Sequence, residues 1–367
     1  MTDASFCAPV FILVFLLLLL FPQYSVEGAA DGLLLWFHTV LPALAPAMIL
    51  TQLILKSNGV TLLMHPFHPL LSHVFSLSDQ GAFALLGGML CGYPVGPSLC
   101  SSLLTEQKLS RKEAAYLLAL CSYPSPMFLL GYVRQQLPES SSCALLLISV
   151  YAPVFLLSAA AKKILHYPKV CAPGQKAPQN GTDVLEKAFS QVSVQPEARA
   201  VSVLDSVLYS VSDTMVLIGG YLMLFSILVC FIRHAAWIPG PAAALLCGIA
   251  EMTTGIRQIC QVFPPSIQLP LCAAAASFGG ISGIFQVKSV LYQDSLSCDQ
   301  QTHGQALSVT SCDPQTGHRS FSDIQCNKNA GFDIRHYIGW KFLHAGFSVI
   351  ILTVLRQVLP LVFPLHW

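Results

Sequence analysis

The residue best suited to chemistry in this sequence is a carboxylate where few belong. Glu251 lies in LLCGIAEMTTGI, with no other charge until Arg257. On insertion scales a charged side chain at the centre of a hydrocarbon layer costs about 2.5–3.5 kcal/mol, so it faces a cavity or a partner. There Glu251 can bind a cation, exchange a proton or accept hydrogen bonds from a solute. Its plainer use is to cap backbone amides at a helix end. Thr253 and Thr254 follow it, Ser282 and Gln286 lie in a later Gly-rich segment, and Ser122, Tyr123 and Ser125 in an earlier Pro-rich one. All can form the hydrogen bonds that recognition of a polar solute requires, although serine and threonine also bond to their own helix backbone.

Other reactive residue types give weaker patterns. His65, His68 and His73 are interrupted by Pro66 and Pro69 and have no carboxylate before Asp79, so no metal site is expected there. Asp205 and Asp213 read as two residues of one helix near the membrane interface. An aspartic-protease dyad instead joins two separate segments. No GxSxG, HExxH, P-loop or GxGxxG occurs, so neither an enzyme nor a bound cofactor is expected. Of the 13 cysteines, Cys91, Cys100, Cys121, Cys143, Cys230, Cys247, Cys260 and Cys272 lie in apolar runs, where a thiol acts as a small hydrophobe. Cys298, Cys312 and Cys326 lie in a polar stretch that can hold one disulfide if it faces an oxidising compartment.

The elements that must position these residues follow from composition. Only 10% of the 367 residues are charged and 54% are apolar, against about a quarter charged in soluble domains. So few charges cannot cover a soluble protein of this size, whereas lipid tails solvate Leu, Val and Phe directly. The net charge of +1 and the lack of a basic stripe interleaved with aromatics exclude nucleic acid as a partner. Apolar runs occupy 6–21, 32–55, 81–104, 114–133, 143–161, 203–232, 242–262, 269–291 and 337–362. Each approaches or exceeds the roughly 20 residues that span hydrocarbon, which predicts an all-α polytopic protein with about eight or nine membrane segments. Run 6–21 is expected to be a retained membrane segment. Run 32–55 is expected to kink or break at Pro42 and Pro46.

Two polar stretches divide the runs. Residues 162–200 read as a linker between an N-terminal membrane half, 1–161, and a C-terminal half, 201–367. Residues 293–335 read as an extramembrane loop of the second half. Lys108, Arg111 and Lys112 in one connection, and Lys162 and Lys163 in another, are expected on the cytoplasmic side. Counting each later run as a crossing then puts 293–335 outside and the C-terminus inside.

The two halves carry one pattern. GGMLCGYPVGPSL at 87–99 is followed by LCSYPSPMFLLGY at 120–132; LLCGIAEMTTGI at 245–256 is followed by SFGGISGIFQ at 277–286. In each half a Leu-Cys-Gly step opens a Gly-interrupted segment, and a Ser-aromatic step opens a second one. Gly and Pro leave backbone polar groups unpaired, which a membrane tolerates only inside protein or beside a cavity. Small residues also let helices approach closely. Broken segments at matching places in two halves point to a transporter's midplane site.

On these residues the chain resembles the YlbJ family, sporulation integral membrane proteins of endospore-forming Firmicutes within the wider group carrying nucleoside-recognition, or Gate, domains. The family's GYPxGAK is matched by Gly92, Tyr93, Pro94 and Gly96, while Pro97 and Ser98 replace its Ala and Lys. Its TNxSxP-like motif is matched by Ser125 and Pro126, with Ser122 and Tyr123 where Asn-type polarity is expected. GxxExTxG is complete in Gly248, Glu251, Thr253 and Gly255, and GGxSxxxQ in Gly279, Gly280, Ser282 and Gln286. The resemblance implies a Gate-type fold of two inverted repeats with Gly/Pro-broken helices, a place in the cell membrane and a role in spore formation.

The leading expectation is a secondary transporter or permease for a small polar solute or ion. Gly92, Tyr93, Pro94, Gly96, Ser122, Ser125, Glu251, Thr253, Gly280, Ser282 and Gln286 would form its site, with Glu251 coupling to a proton or cation. The alternative is a non-transporting membrane scaffold whose polar stretches recruit other sporulation membrane proteins. Association with a second copy of the chain is compatible with either.

Overall fold

The computed structural model describes residues 3–167, 196–291 and 334–362, all helices and their connections. Most of the polar linker, and the polar loop with Cys298, Cys312 and Cys326, lie outside the described residues. Burial is inverted relative to a soluble protein. Leu62, Phe155, Val216, Leu224 and Phe342 face outward, while Glu251, Lys341 and His344 are buried. Lipid supplies the apolar surroundings of the first set, and packed helices must satisfy the second.

The first half runs α1 (Asp3–Leu20), α2 (Pro22–Leu35), α3 (Leu41–Lys56), α4 (Val60–Met64), α5 (His68–Phe75), α6 (Asp79–Cys91), α7 (Val95–Thr105) and α8 (Arg111–Leu118). Next come α9 (Pro126–Phe128) and α10 (Arg134–Gln136), joined by a π turn, then α11 (Cys143–Tyr151) and α12 (Pro153–Ile164). The second half has α13 (Pro196–His234), α14 (Gly240–Ala250), α15 (Met252–Val262), α16 (Pro265–Phe278), α17 (residues 280–291) and α18 (Ile334–Val362).

Local chemistry explains the boundaries. A π turn at Trp36–Val40 joins α2 to α3, just before Pro42 and Pro46 remove two amide donors. The interruption expected in that run is thus a widened turn inside one long helical rod. Ser78, Ser110, Ser125 and Ser142 cap α6, α8, α9 and α11, each accepting from an amide three residues on.

Five helical spans among the described residues are long and apolar enough to cross a membrane: Pro22–Lys56, Cys143–Ile164, Val203–His234, Pro265–Leu291 and Ile334–Val358. Counting α5 and α6 together, bent by 90°, gives six. The larger expected count treated every apolar run as a crossing, but four of the nine are not among the five spans: 81–104 and 242–262 fold back on themselves, 114–133 unwinds at 119–125, and 6–21 forms α1 ahead of the first span. A methyl added to Gly88 in α6 would lie 3.0 Å from Gly96 Cα in α7. One added to Gly255 in α15 would lie 2.1 Å from Gly248 Cα in α14. Backbones that touch across a break of a few residues belong to a helical hairpin.

The basic connections do share one end. Lys56 Nζ donates to Ser206 at the start of α13, Lys108 to Asn58, and Lys162 to the Val74 carbonyl. From there α13 crosses, α14 and α15 return to the far end, and α16 with α17 crosses back. Near its C-terminal end, Arg356 of α18 donates to Ser266 O at the start of α16, the far end. Leu291 and Tyr337 share a cluster towards the basic end. The residues flanking 292–333 therefore lie towards the end of the bundle that carries the basic connections. All but the last two residues of the stretch 293–335, and the C-terminus, for which the sequence suggested an outside and an inside placement, lie outside the described residues.

Glu113 of α8 secures the α5–α6 corner by accepting from Ser78 N and Oγ, both at 2.8 Å. Burial pushes its carboxyl above the ordinary carboxylate range, against the pull of those two bonds. The native state therefore keeps a proton that the unfolded chain has lost. Its contribution to stability is present below the unfolded pKa of about 4.3 and is lost as pH rises through the higher native value. Glu113→Gln should remove this component from thermal midpoints measured as pH rises above about 4.3. An unchanged pH profile would show that Glu113 is not the group responsible.

Candidate functional site

Four helix breaks carry the motif residues. Between α6 and α7, Gly92 has φ +114°, a value open to glycine and costly for other residues. Residues 119–125 unwind between α8 and α9. The third break is the single extended residue Glu251, with φ −144° and ψ 122°. The fourth is Gly279, with φ +84°.

These breaks meet one another. A methyl on Gly92 would sit 3.7 Å from Ser125 Cβ, so the first break lies beside the cap of α9. Gly96 and Gly88 press on the Cys121 carbonyl from either side. Tyr93 reaches across the halves, its ring against Gly279 and its hydroxyl donating to the Ala276 carbonyl. Gly280 in turn packs on the backbone of Glu251 and Met252. Tyr132 closes the chain, its hydroxyl donating to Thr253 O at 2.8 Å. Pro94 stands at the position immediately before α7 and makes no side-chain capping bond. Ser282 and Gln286 lie buried beyond the fourth break and bond to each other at 3.1 Å.

Glu251 takes the plainer of its two expected uses. Its Oε1 accepts from Thr253 N at 2.9 Å, and its Oε2 from Thr254 N at 2.8 Å and Thr254 Oγ1 at 2.6 Å. Both carboxylate oxygens are thus held by the first turn of α15, where the helix dipole also favours negative charge. Ser125 likewise caps its own helix, accepting from Phe128 N.

The residues that sequence reasoning passed over lie on α18. Lys341, His344 and Ser348 are all buried and fall on one helix face. Lys341 Nζ donates to Ser122 O at 3.0 Å and stands 4.3 Å above the centre of the Tyr93 ring. His344 Nε2 lies 2.9 Å from Val150 O; a carbonyl only accepts, so Nε2 carries the hydrogen. The Nδ1 lone pair then faces Lys341 Nζ at 3.5 Å. The Tyr123 ring packs on the imidazole with centroids 4.4 Å apart, and its hydroxyl has no partner among the described residues, like those of Ser277 and Ser348. No carboxylate contacts Lys341 among the described residues. A buried lysine amine bonded only to neutral groups among the described residues, beside unpaired hydroxyls, is an arrangement in which a polar ligand can replace missing partners. The signal was present in the sequence as ionisable residues inside run 337–362.

The remaining candidates sit apart. His68 pairs with Asp79 at the α5–α6 corner. Asp205 and Asp213 are exposed on α13, on one helix as expected. The eight cysteines of the apolar runs are free thiols. An apolar groove of about 400 Å³, lined by Leu71, Phe75, Leu147 and Phe155 among others, suits hydrocarbon and not a polar solute.

No family model matches the sequence, and no solved structure matches it. A curated relative, the sporulation integral membrane protein YlbJ of Bacillus subtilis (strain 168), is 32% identical over 130 residues. The match takes in 35% of this chain and 32% of the relative, about a third of each. With its own long apolar helices, the chain is a multi-pass integral membrane protein. The stretch of identity supports the resemblance, drawn above from four motifs, to the YlbJ-type sporulation integral membrane proteins.

Proposed function

We propose that this protein is a secondary transporter or permease, active in spore formation, that binds a small polar solute between two inverted repeats of broken helices. The observation that carries this reading is the meeting of the four breaks, with Tyr93 of one half seated on Gly279 of the other. The hairpin α6–α7 enters from the basic end and α14–α15 from the opposite end, the relation expected of inverted repeats. The role in sporulation rests on the name of the relative. Tyr93, Ser122 and Tyr123 from the first half, Ser277 from the second and Lys341 with His344 from α18 supply the polar lining.

Glu251 then holds the α14–α15 tip in shape, and Lys341 supplies the group free to respond to a ligand. Lys341→Met separates site from scaffold. Replacing a buried ionisable side chain with an apolar one of similar volume is commonly neutral or stabilising, because its desolvation cost disappears. The variant should therefore unfold no earlier than wild type in detergent. Nucleosides, amino acids, small anions and small cations form the screening panel. A solute at 100 times its dissociation constant stabilises the native protein by about 2.7 kcal/mol. That shift should appear in wild type and vanish in Lys341→Met, after which liposome flux of the same solute tests transport. A solute that stabilises both proteins equally would remove Lys341 from the site. If no member of the panel shifts wild type, the scaffold reading, with sporulation membrane proteins or a second copy as partner, takes precedence.

A further inference from the structure

We propose that Glu27, Cys230 and His234 form a binding site for a divalent metal ion of zinc's class, clamping α2 to α13 at the end opposite the basic connections. No spacing in the sequence suggests it, because Glu27 comes from a different half of the chain. Two glycines bring the parts together. A methyl on Gly28 would stand 2.6 Å from Ile227 Cα, and one on Gly32 would stand 2.8 Å from Met223 Cα. The backbones of α2 and α13 thus touch, and Glu27, next to Gly28, is delivered to the face carrying Cys230 and His234. Those two are four residues apart on one helix, a spacing that puts both side chains on the same side.

Distances and donor types agree with coordination. Cys230 Sγ and His234 Nδ1 are 3.6 Å apart. Nδ1 also lies 2.9 Å from the Cys230 carbonyl, so without metal it carries the hydrogen, and coordination requires that hydrogen bond to give way as the proton moves to Nε2. Zinc bonds of about 2.3 Å to sulfur and 2.0–2.1 Å to nitrogen, at a tetrahedral angle, require about 3.5 Å between those atoms. One ligand atom from each of the three residues lies within 4.8 Å of the other two, so small side-chain adjustments close the set. Tyr24 stacks on the His234 ring at 4.1 Å and holds its plane. Arg233, the nearby cation, lies 3.8 Å from Asp31, and Glu27 makes no ion pair among the described residues. Thiolate, imidazole and carboxylate together suit zinc and similar borderline ions; calcium and magnesium prefer all-oxygen sets. Three protein ligands leave a fourth position for water.

Binding converts the Cys230 thiol to a metal-bound thiolate and releases its proton to solvent. The site does not depend on the transport reading.

The test uses the full chain in detergent, stripped by a chelator and titrated with Co²⁺ as a coloured stand-in. One equivalent per chain should produce a thiolate-to-cobalt charge-transfer band that Zn²⁺ then abolishes. Cys230→Ser should remove the band. Glu27→Gln and His234→Gln, changes at exposed side chains, should each weaken binding at least about tenfold while leaving the metal-free unfolding temperature in place. Absence of the band at one equivalent overturns the proposal. So does a band that survives in Cys230→Ser, since the metal would then sit on other thiols. If Cys230→Ser fails to fold, unchanged cobalt affinity in both exposed variants overturns it equally.

Discussion

Gly88→Ala should markedly destabilise the native protein and lower its yield. The added methyl would stand 1.8 Å from the Cys121 carbonyl oxygen and 2.8 Å from its carbonyl carbon. Both are backbone atoms, so no rotamer change relieves the clash. From the other side, a methyl on Gly96 would meet the same oxygen at 2.1 Å. The carbonyl is therefore pinched between α6 and α7, and either substitution must push the hairpin away from the unwound segment. Overpacking of a close-packed interior costs about 1–3 kcal/mol even where side chains can yield. With backbone on both sides the loss should reach about 3 kcal/mol or more, lowering the thermal midpoint by roughly 10 °C. Expression yield, size-exclusion profile and thermal unfolding in detergent read this out. Gly220→Ala is the control, because nothing lies within 4 Å of its added methyl. It should be neutral or slightly stabilising through helix propensity. A Gly88→Ala protein that melts with wild type would mean that the breaks do not meet as described.

Glu251→Gln should destabilise the protein as well as affect its function. Glutamine keeps one acceptor oxygen and turns an NH₂ group towards a backbone donor that Glu251 now satisfies. Leaving one buried amide without a partner costs about 1–3 kcal/mol. Loss of the negative charge at the α15 N-terminus adds about 0.3–1 kcal/mol. Glu251→Ala strands Thr253 N, Thr254 N and the Thr254 hydroxyl together and should be worse. Thr254→Ser keeps both the amide and a hydroxyl, so it serves as the mild member of the series. Thermal midpoints should fall in the order wild type, Thr254→Ser, Glu251→Gln, Glu251→Ala. If Glu251→Gln melts with wild type, the carboxylate is not what holds this break, and a direct role towards a solute or ion gains weight. Loss of function in Glu251→Gln therefore has meaning only beside its stability, whereas Lys341→Met removes a group that caps no helix.

Much of the architecture was legible in residue types. A chain with 10% charge must hide its apolar surface in lipid, which fixed the class and the helical secondary structure. Gly92, Glu251 and Gly279 marked breaks because glycine inside an apolar run, or a carboxylate that needs amide donors, cannot continue a helix unpaid for elsewhere in the fold. The buried face of Lys341, His344 and Ser348 was readable in principle from its spacing. Near the start of a long run, however, Lys and His read equally well as interface residues. Their position under Tyr93 and Ser122 depends on α18 packing against breaks more than two hundred residues earlier in the chain.

What the sequence alone determined is that this is a helical membrane protein interrupted at particular residues. Only the tertiary structure decided what each interruption does. Gly92 and Gly279 both take positive φ. At the first the chain turns back, with Gly88 and Gly96 clasping the Cys121 carbonyl. At the second it runs on, and Pro265–Leu291 remains one span. A left-handed glycine permits either outcome, and the local residues do not choose between them. The choice is made by close contacts between distant backbones, because in a close-packed interior only one path avoids overlap.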